Sequence, residues 1–330
     1  MGKKLKVLES CRKELFGCVE TVAAGADQDT CATRAGARCT NALTEKLSVV
    51  AAKLTATITA KCAGLDLENG LRSPTLGLGY ATLEAACTGE FMGPALSDVT
   101  AVATCVLAQH ACRADQLVDL QAPRVQELMA RGQVPQALRD GLACLPVHGG
   151  TGQGAGAPEG KAVAKCAAAI TRGGARFVAR KLSSLEKCVD RLFTCEQTKQ
   201  DNPRCPAGAG TACVKVFQQI ATAEQKLEAG IASACPAELY TTMRDAPGAN
   251  LAVLDAECAR YGVADLSQDV GQYTQCLVRQ HECRVEELLA FEAPRAAVLI
   301  GSVDFAALGL DPPPQFPHDF CPTPSPAPTP

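Results

Sequence analysis

The chain has 330 residues, 47% of them hydrophobic, a net charge of −3 and nineteen cysteines. This length allows two domains of ordinary size, and the near-neutral charge argues against a nucleic-acid-binding protein, which needs a basic surface. Trp is absent, aromatic residues make up 4% of the chain, and no run approaches the roughly 18 apolar residues of a membrane helix. An alanine-rich core buries little area per residue, so we expect disulfides to supply stability, as in secreted domains.

Two similar motifs, SCRKELFGC at 10–18 and KCVDRLFTC at 187–195, begin two series of matching cysteine spacings. The gaps are 7, 13, 8, 23, 25, 18 and 7 residues from Cys11, and 7, 10, 8, 22, 23, 18 and 7 from Cys188. QHACR and QHECR recur at equivalent places. We therefore predict a tandem duplication, with an N-terminally truncated helical repeat at 1–146, a flexible Gly-rich linker at 147–160, a second helical repeat at 161–322 and a Pro/Thr tail at 323–330.

The first repeat is predicted to open with an antiparallel helical hairpin. Both arms of such a hairpin rise equally per residue, so the numbers of facing residues add to a constant. This rule pairs Cys11 with Cys39 and Cys18 with Cys31. Cys62 would face a position before Met1, so we expect Cys62 to be unpaired unless it joins another chain. The N-terminal MGKKLKVLESC has no apolar signal-peptide segment, and we expect the upstream cysteine and the signal peptide to have been lost by truncation.

The second repeat is predicted to begin with a long amphipathic helix over 161–195, followed by a second helix over about 210–235. Its apolar face carries three cysteines, and the same rule pairs Cys166 with Cys235, Cys188 with Cys213 and Cys195 with Cys205. A basic stripe lies on the opposite face and is interpreted as a solvated surface, with contact to an anionic surface as the alternative: Lys161, Lys165, Arg172, Arg176 and Arg180. Gly173 and Gly174 are expected to interrupt or kink the helix.

Each repeat is predicted to end in a second, shorter hairpin. In repeat 2 it joins a short helix near 251–258 to a long helix over about 267–300, which Pro294 should kink, as Pro123 should in repeat 1. The expected bridges are Cys258 with Cys276 and Cys283 with Cys321, and in repeat 1 Cys87 with Cys105 and Cys112 with Cys144.

Local metal chelation is not indicated. Cu(I) stores and most zinc sites place thiolates three or four residues apart, whereas the closest cysteines here are seven residues apart, about 10 Å along a helix. We predict no metal and no cofactor, and a Cu(I)-type thiolate store formed between helices stays as the alternative function.

The repeated histidines His110 and His281 suggest a ligand or catalytic role, but each points away from the cysteine face of its helix. We therefore expect partly exposed, neutral histidines. Arg113 and Arg284 are expected to pair with nearby acids. No partner is predicted for His148 in the linker, nor for His318 near the C-terminus.

Catalytic motifs are absent from the sequence. Ser-His-Asp, GxSxG, HExxH and Cys-His patterns do not occur, and the adjacent Glu286 and Glu287 should lie on a helix surface without converging. We predict a non-catalytic protein. An enzyme whose site forms only in the tertiary structure would show convergent titratable groups in a pocket.

The run KCAAAITRGGARFVARKLSSLEKC at 165–188, with a QHECR helix and a Pro/Thr tail, resembles secreted cysteine-rich helical proteins of bacteria that have no assigned activity. The resemblance implies a helical fold and secretion. We predict an all-α protein of two disulfide-stapled helical-hairpin repeats, extracellular or in the periplasm or cell envelope. Its expected role is structural or binding, through a surface for an unknown protein or surface partner, and self-assembly through the unpaired cysteine is one variant of that role.

Overall fold

The computed structural model describes residues 1–22, 24–91, 93–156, 158–267 and 269–322, and these form α-helices without any β-strand. The all-α prediction is therefore confirmed. The predicted Pro/Thr tail, residues 323–330, lies outside the described residues. The α-helices are α1 Gly2–Thr21, α2 Ala26–Asn41, α3 Leu47–Lys61, α4 Glu84–Thr88, α5 Val99–Gln121, α6 Val125–Arg131, α7 Gln136–Asp140, α8 Glu159–Thr198, α9 Cys205–Ala234, α10 Tyr240–Arg244, α11 Asp255–Arg260, α12 Val270–Glu292 and α13 Ala296–Gly301.

The chain forms two compact units, each assembled from three segments. Unit 1 comprises Met1–Lys53, His110–Arg176 and Lys226–His281, and unit 2 comprises Leu54–Gln109, Phe177–Gln225 and Glu282–Pro330. The predicted tandem duplication and its domain boundaries concern similarity between two stretches of sequence, whereas the two units are defined by compact packing. The duplication and its boundaries therefore stay a prediction.

Eighteen of the nineteen cysteines form nine disulfides, with Cα–Cα distances of 4.8 to 5.6 Å that suit the bond. These are the nine pairs that the hairpin rule and the repeat comparison predict, and Cys62 is the free cysteine. Unit 1 holds Cys11–Cys39, Cys18–Cys31, Cys112–Cys144, Cys166–Cys235 and Cys258–Cys276. Unit 2 holds Cys87–Cys105, Cys188–Cys213, Cys195–Cys205 and Cys283–Cys321. So many bridges favour an extracellular or otherwise oxidising compartment.

Helix α8 follows the predicted amphipathic pattern but is not interrupted at its glycines. Its cysteines and apolar residues are buried, while the five residues of the basic stripe are exposed. Gly173 and Gly174 lie inside one continuous helix, so the expected break is wrong. A Cβ on Gly173 would lie 2.7 Å from Leu227 Cδ1, and one on Gly174 would lie 2.6 Å from His281 Nε2. The glycines therefore permit close packing at this point of the helix.

The prolines that were expected to kink the last helix of each repeat end it instead. Helix α5 stops at Gln121 before Pro123, and α12 stops at Glu292 before Pro294. A proline lacks the N–H for the helical hydrogen bond and disfavours helical geometry in the residue before it. Short helices α6 and α13 then begin two residues after each proline. Helix α9 also begins earlier than expected, at Cys205.

The predicted linker, residues 147–160, is held by hydrogen bonds within unit 1. Buried Arg124 donates to the Gln153 carbonyl at 2.8 Å, and the Ala155 N–H donates to Glu20 Oε2 at 2.8 Å. This segment is thus anchored at described positions, although its glycine content suggested flexibility. None of the helices in the described part of the chain combines the length and hydropathy required to cross a membrane.

Candidate functional site

Unit 2 contains a cavity of about 260 Å³ at which polar and apolar side chains converge. Helices α8, α9 and α12 and the C-terminal segment line it. A concave apolar site with a few convergent polar groups is the usual form of a small-ligand site. The lining residues are Lys181, Phe217, Gln218, Ile220, Ala221, Glu224, Glu282, Glu286, Leu310, Pro312, Pro314, Gln315 and His318.

Lys181 provides the positive charge of this site. It lies on the buried face of α8, with 2% of its side chain exposed, and its Nζ is 3.2 Å from Glu282 Oε1 and 2.7 Å from Glu286 Oε1. The two glutamates are one helical turn apart on α12, so both reach the same ammonium group. Burying this charge is tolerated because two carboxylates compensate it.

His318 attaches the C-terminal segment to the same carboxylate. Its Nδ1 lies 2.5 Å from Glu286 Oε1, and its backbone N–H donates to Glu286 Oε2 at 3.0 Å. The Cys283–Cys321 disulfide fixes this segment three residues further along the chain. Burial alone would raise the pKa of Glu286, but the His318 hydrogen bond and the Lys181 charge outweigh it and hold that pKa below its ordinary value.

Glu282 is the carboxylate with capacity for a further donor. About one-tenth of its side chain is exposed, and Oε1 accepts from Lys181. Its Oε2 lies 3.9 Å from His318 Nε2, an ion-pair distance beyond hydrogen-bond range. Glu286, in contrast, uses both oxygens on groups of its own chain. The site can therefore bind a donor or a cation through Glu282.

The α9 side of the cavity, here called the Phe217 wall, carries apolar side chains together with Gln218 and Glu224. Phe217 packs edge-on against Phe305, with ring centroids 5.3 Å apart, and Ile220 is 5% exposed. Leu310, Pro312 and Pro314 complete this wall from the C-terminal segment.

The sequence did not predict this cluster, and the predicted exposure of Glu286 is wrong. Glu286 was expected on a helix surface, but it is 4% exposed and Lys181 and His318 converge on it. A signal for Lys181 was present, because at 100° per residue it falls in the middle of the apolar arc of α8. A lysine at that position must find a buried partner. His318 gave no comparable signal, since its partner lies 32 residues away.

The predicted exposure of the two repeated histidines is also wrong. His110 and His281 are 8% and 0% exposed. His281 Nε2 lies 2.7 Å from the Gln121 amide nitrogen, and Nδ1 lies 2.7 Å from Gln280 Oε1. These partners fix a neutral ring, and burial lowers the pKa of His281 to about 3. The prediction that this histidine is structural and neutral agrees with these contacts.

Three other predicted polar residues have partners in the structure. Arg284 pairs with Glu287 at 2.8 Å, as expected, whereas Arg113 donates a hydrogen bond to an amide oxygen, Gln116 Oε1, at 2.8 Å. His148 Nε2 lies 2.7 Å from Asp119 Oδ1. These contacts lie outside the cavity lining and stabilise their own helices or loops.

A metal centre finds no support in the residues that the structure describes, since no group of three or more His, Cys, Asp or Glu side chains there could hold an ion. The thiolate-store alternative requires reduced cysteines, and eighteen are consumed by disulfides. A second cavity of about 350 Å³, near the Cys195–Cys205 bridge, is lined by Arg191, Lys199 and Arg204. All three of these side chains are exposed, so the Lys181 cavity is the better-formed site.

No protein-family model, curated protein or solved structure matches this chain.

Proposed function

We propose that this protein is a non-catalytic binding protein of an extracytoplasmic compartment, in which disulfides hold helices rigid so that they present an interaction surface and the Lys181 cavity. The nine disulfides are the observation that carries the proposal. They distribute over both units and close loops with sequence separations from 10 to 69 residues. Such density is typical of proteins that persist where thiols oxidise and where small cores need reinforcement.

A binding role is favoured over a catalytic one because Lys181, Glu286 and His318 are bound to one another. Lys181 and Glu286 neutralise each other, and Glu286 is further occupied by His318. General acid–base chemistry needs an acid and a base that are both free to act on a substrate, whereas here Glu282 Oε2 is left to accept from a ligand and its neighbours Lys181, Glu286 and His318 are bound to one another. Groups that hold one another in place instead give a preorganised wall, which lowers the cost of binding.

The finer location proposed is the cell exterior or the periplasm and cell envelope. The resemblance to secreted cysteine-rich helical proteins of bacteria points the same way. Self-association through Cys62 is compatible with this location, because an oxidising environment would allow an intermolecular disulfide.

The test is the oxidation state of the protein as cells hold it. Thiols are trapped with an alkylating reagent under acid quench, and the intact mass and bridged peptides are then determined. One labelled cysteine, Cys62, with Cys166 linked to Cys235 supports an oxidising location. Many labelled cysteines, or a mass that carries copper or zinc, would contradict the proposal and favour a thiolate metal store.

A further inference from the structure

We propose that the Lys181 cavity binds a small alkylammonium ion, with its ammonium group at Glu282 Oε2 and its short hydrocarbon chain against the Phe217 wall. This rests on the proposed function, because it names the ligand class of a site in a binding protein. Two features of unit 2 carry it: the unequal charges that line the cavity, and the apolar side chains that line it beside the polar ones.

The charge balance selects a cation. Three carboxylates line the cavity, those of Glu224, Glu282 and Glu286, and they outnumber the Lys181 ammonium group and the His318 ring that face them. An anion entering this space would meet a surplus of negative charge, whereas a cation would be attracted to it. Lys181 is already committed to Glu282 and Glu286, so it offers little to an anionic ligand.

The acceptor available on Glu282 favours a ligand that donates a hydrogen bond. Glu286 receives Lys181, the His318 ring and the His318 backbone. Among the residues that the structure describes, Glu282 accepts from Lys181 on Oε1, and its Oε2 has the His318 ring at 3.9 Å, beyond hydrogen-bond range. Glu282 is 8% exposed, so its carboxylate is held in a largely dehydrated setting in which a charge-assisted hydrogen bond is strong. An ammonium group has three donors and suits one carboxylate oxygen and a neighbouring amide such as Gln218.

Volume and wall chemistry limit the rest of the ligand. About 260 Å³ corresponds to roughly nine non-hydrogen atoms, at about 30 Å³ each by analogy with liquid water. The Phe217, Ile220 and Pro312 side chains offer hydrocarbon contact but no charge. A primary amine with a chain of about four to six carbons therefore matches both walls. A bare divalent cation is a poorer match, because it requires several oxygen ligands.

The experiment titrates the oxidised full-length protein with n-pentylamine, using calorimetry and chemical shifts at low ionic strength. Matched probes are 1-pentanol, which keeps the chain without the charge, and pentanoate, which reverses the charge. We expect pentylamine to bind at least tenfold more tightly than pentanol, the difference expected for a hydrogen bond to a charged group. Equal affinity for pentylamine and pentanol, or tighter binding of pentanoate, would overturn the proposal.

Protein variants locate the binding site. Glu282→Gln keeps the shape of the side chain and should weaken pentylamine binding about tenfold or more, whereas Glu287→Gln, which changes a glutamate outside the cavity lining, should leave it unchanged. Ala221→Leu narrows the cavity without altering its charges and should also abolish pentylamine binding. If Glu282→Gln does not fold, this second variant tests whether the amine binds in the cavity. Undiminished binding in Ala221→Leu would place the amine elsewhere.

A further arm distinguishes the source of the ligand. Nα-acetyl-lysine methylamide presents the same alkylammonium group on a peptide backbone, so affinity equal to that of pentylamine indicates a lysine side chain and a much weaker affinity indicates a free amine. Both results support the proposal. Failure of every amine to bind would refute the ligand class alone, because the disulfide map that tests the proposed function is an independent measurement.

Discussion

Among single residues, the buried lysine of unit 2 should make one of the largest contributions to stability. Lys181→Met keeps the length and apolar stem of the side chain but leaves Glu282 and Glu286 without their ammonium partner. Breaking a buried ion pair from one side costs about 3 to 5 kcal/mol. We therefore expect the free energy of unfolding, measured by guanidinium denaturation at pH 7 without reductant, to fall by about 3 kcal/mol.

The neighbouring Arg180 supplies the control. It is exposed, lies about 100° around α8 from Lys181, and donates to Gln219 Oε1 at 3.0 Å. Arg180→Met should change the free energy of unfolding by no more than about 0.5 kcal/mol. Similar losses in the two variants would mean that Lys181 is not a buried charge in solution.

His281 should make the stability of the protein sensitive to acid. Burial lowers its pKa to about 3 from an ordinary value of 6.5, so between these values the unfolded chain binds a proton that the folded chain does not. Stability is then retained above pH 6.5 and falls as the pH drops, by about 3 kcal/mol at pH 4. The measurement is the free energy of unfolding against pH for the wild type and for His281→Gln, which should lose this component.

His148 should contribute to the pH dependence of the free energy of unfolding with the opposite sign to His281. The hydrogen bond that its ring donates to Asp119 raises the pKa of His148, so its contribution is present at low pH and is lost as the pH rises through that pKa. His148→Gln should therefore leave a profile that rises more steeply with pH than the wild type. The same profile for His148→Gln and His281→Gln would refute both assignments.

Sequence patterns predicted single residues unevenly. Cysteine pairs were accessible because two helical arms with equal rise impose a numerical rule on facing positions. The Glu286 cluster was not, because it joins residues from α8, α12 and the C-terminal segment, and no local period relates them. Burial of His281 was missed because its polar ring suggested exposure, although two glutamines satisfy it inside unit 1.

At the scale of whole helices, close packing explains why glycine occurs inside a helix, although its intrinsic helix propensity is low. Gly174→Ala would place a methyl group 2.6 Å from His281 Nε2 and 2.7 Å from Gln121 Nε2, which outweighs the gain of about 1 kcal/mol from alanine in a helix. We expect a net loss of about 1 to 2 kcal/mol by chemical denaturation. Gly230→Ala in α9, with no atom within 4 Å of the new methyl group, should instead stabilise by about 0.5 to 1 kcal/mol.

The returning helices of the two long hairpins, α9 and α3, differ in how far their apolar side chains are buried. In unit 1, Leu227 of α9 is 3% exposed and packs on α8 at Gly173. Leu54 of α3, in unit 2, is its sequence equivalent relative to Cys62 and Cys235, yet it is half-buried, and α3 contains no buried residue. Leu227→Ala should therefore cost about 2 to 4 kcal/mol and Leu54→Ala less than about 1 kcal/mol. Equal losses by chemical denaturation would mean that α3 is covered in solution.

Helix type was predictable from periodicity, whereas helix ends were not. The 3.6-residue period of α8 identified its buried face correctly. Pro123 and Pro294 were expected to bend helices, but each helix ends before its proline, and a separate short helix begins two positions after it. Whether a proline bends or ends a helix depends on tertiary contacts that restore the lost hydrogen bond, and these are not visible in the local sequence.

The stability of the whole molecule should depend on its covalent links more than on its core. Each bridge that closes a loop of ordinary length contributes about 3 kcal/mol, so the bridges together exceed the 5 to 15 kcal/mol net stability of a typical native state. The interior, by contrast, consists largely of Leu, Val and Ala side chains and contains no Trp. We therefore expect the fully reduced and alkylated protein to be unfolded at 25 °C, with loss of cooperative thermal melting by circular dichroism. Alkylation without reduction, which reaches Cys62 alone, is the control and should leave the melt unchanged. A reduced protein that still melts cooperatively would show that helix packing suffices, and would remove the main physical reason for assigning the protein to an oxidising compartment.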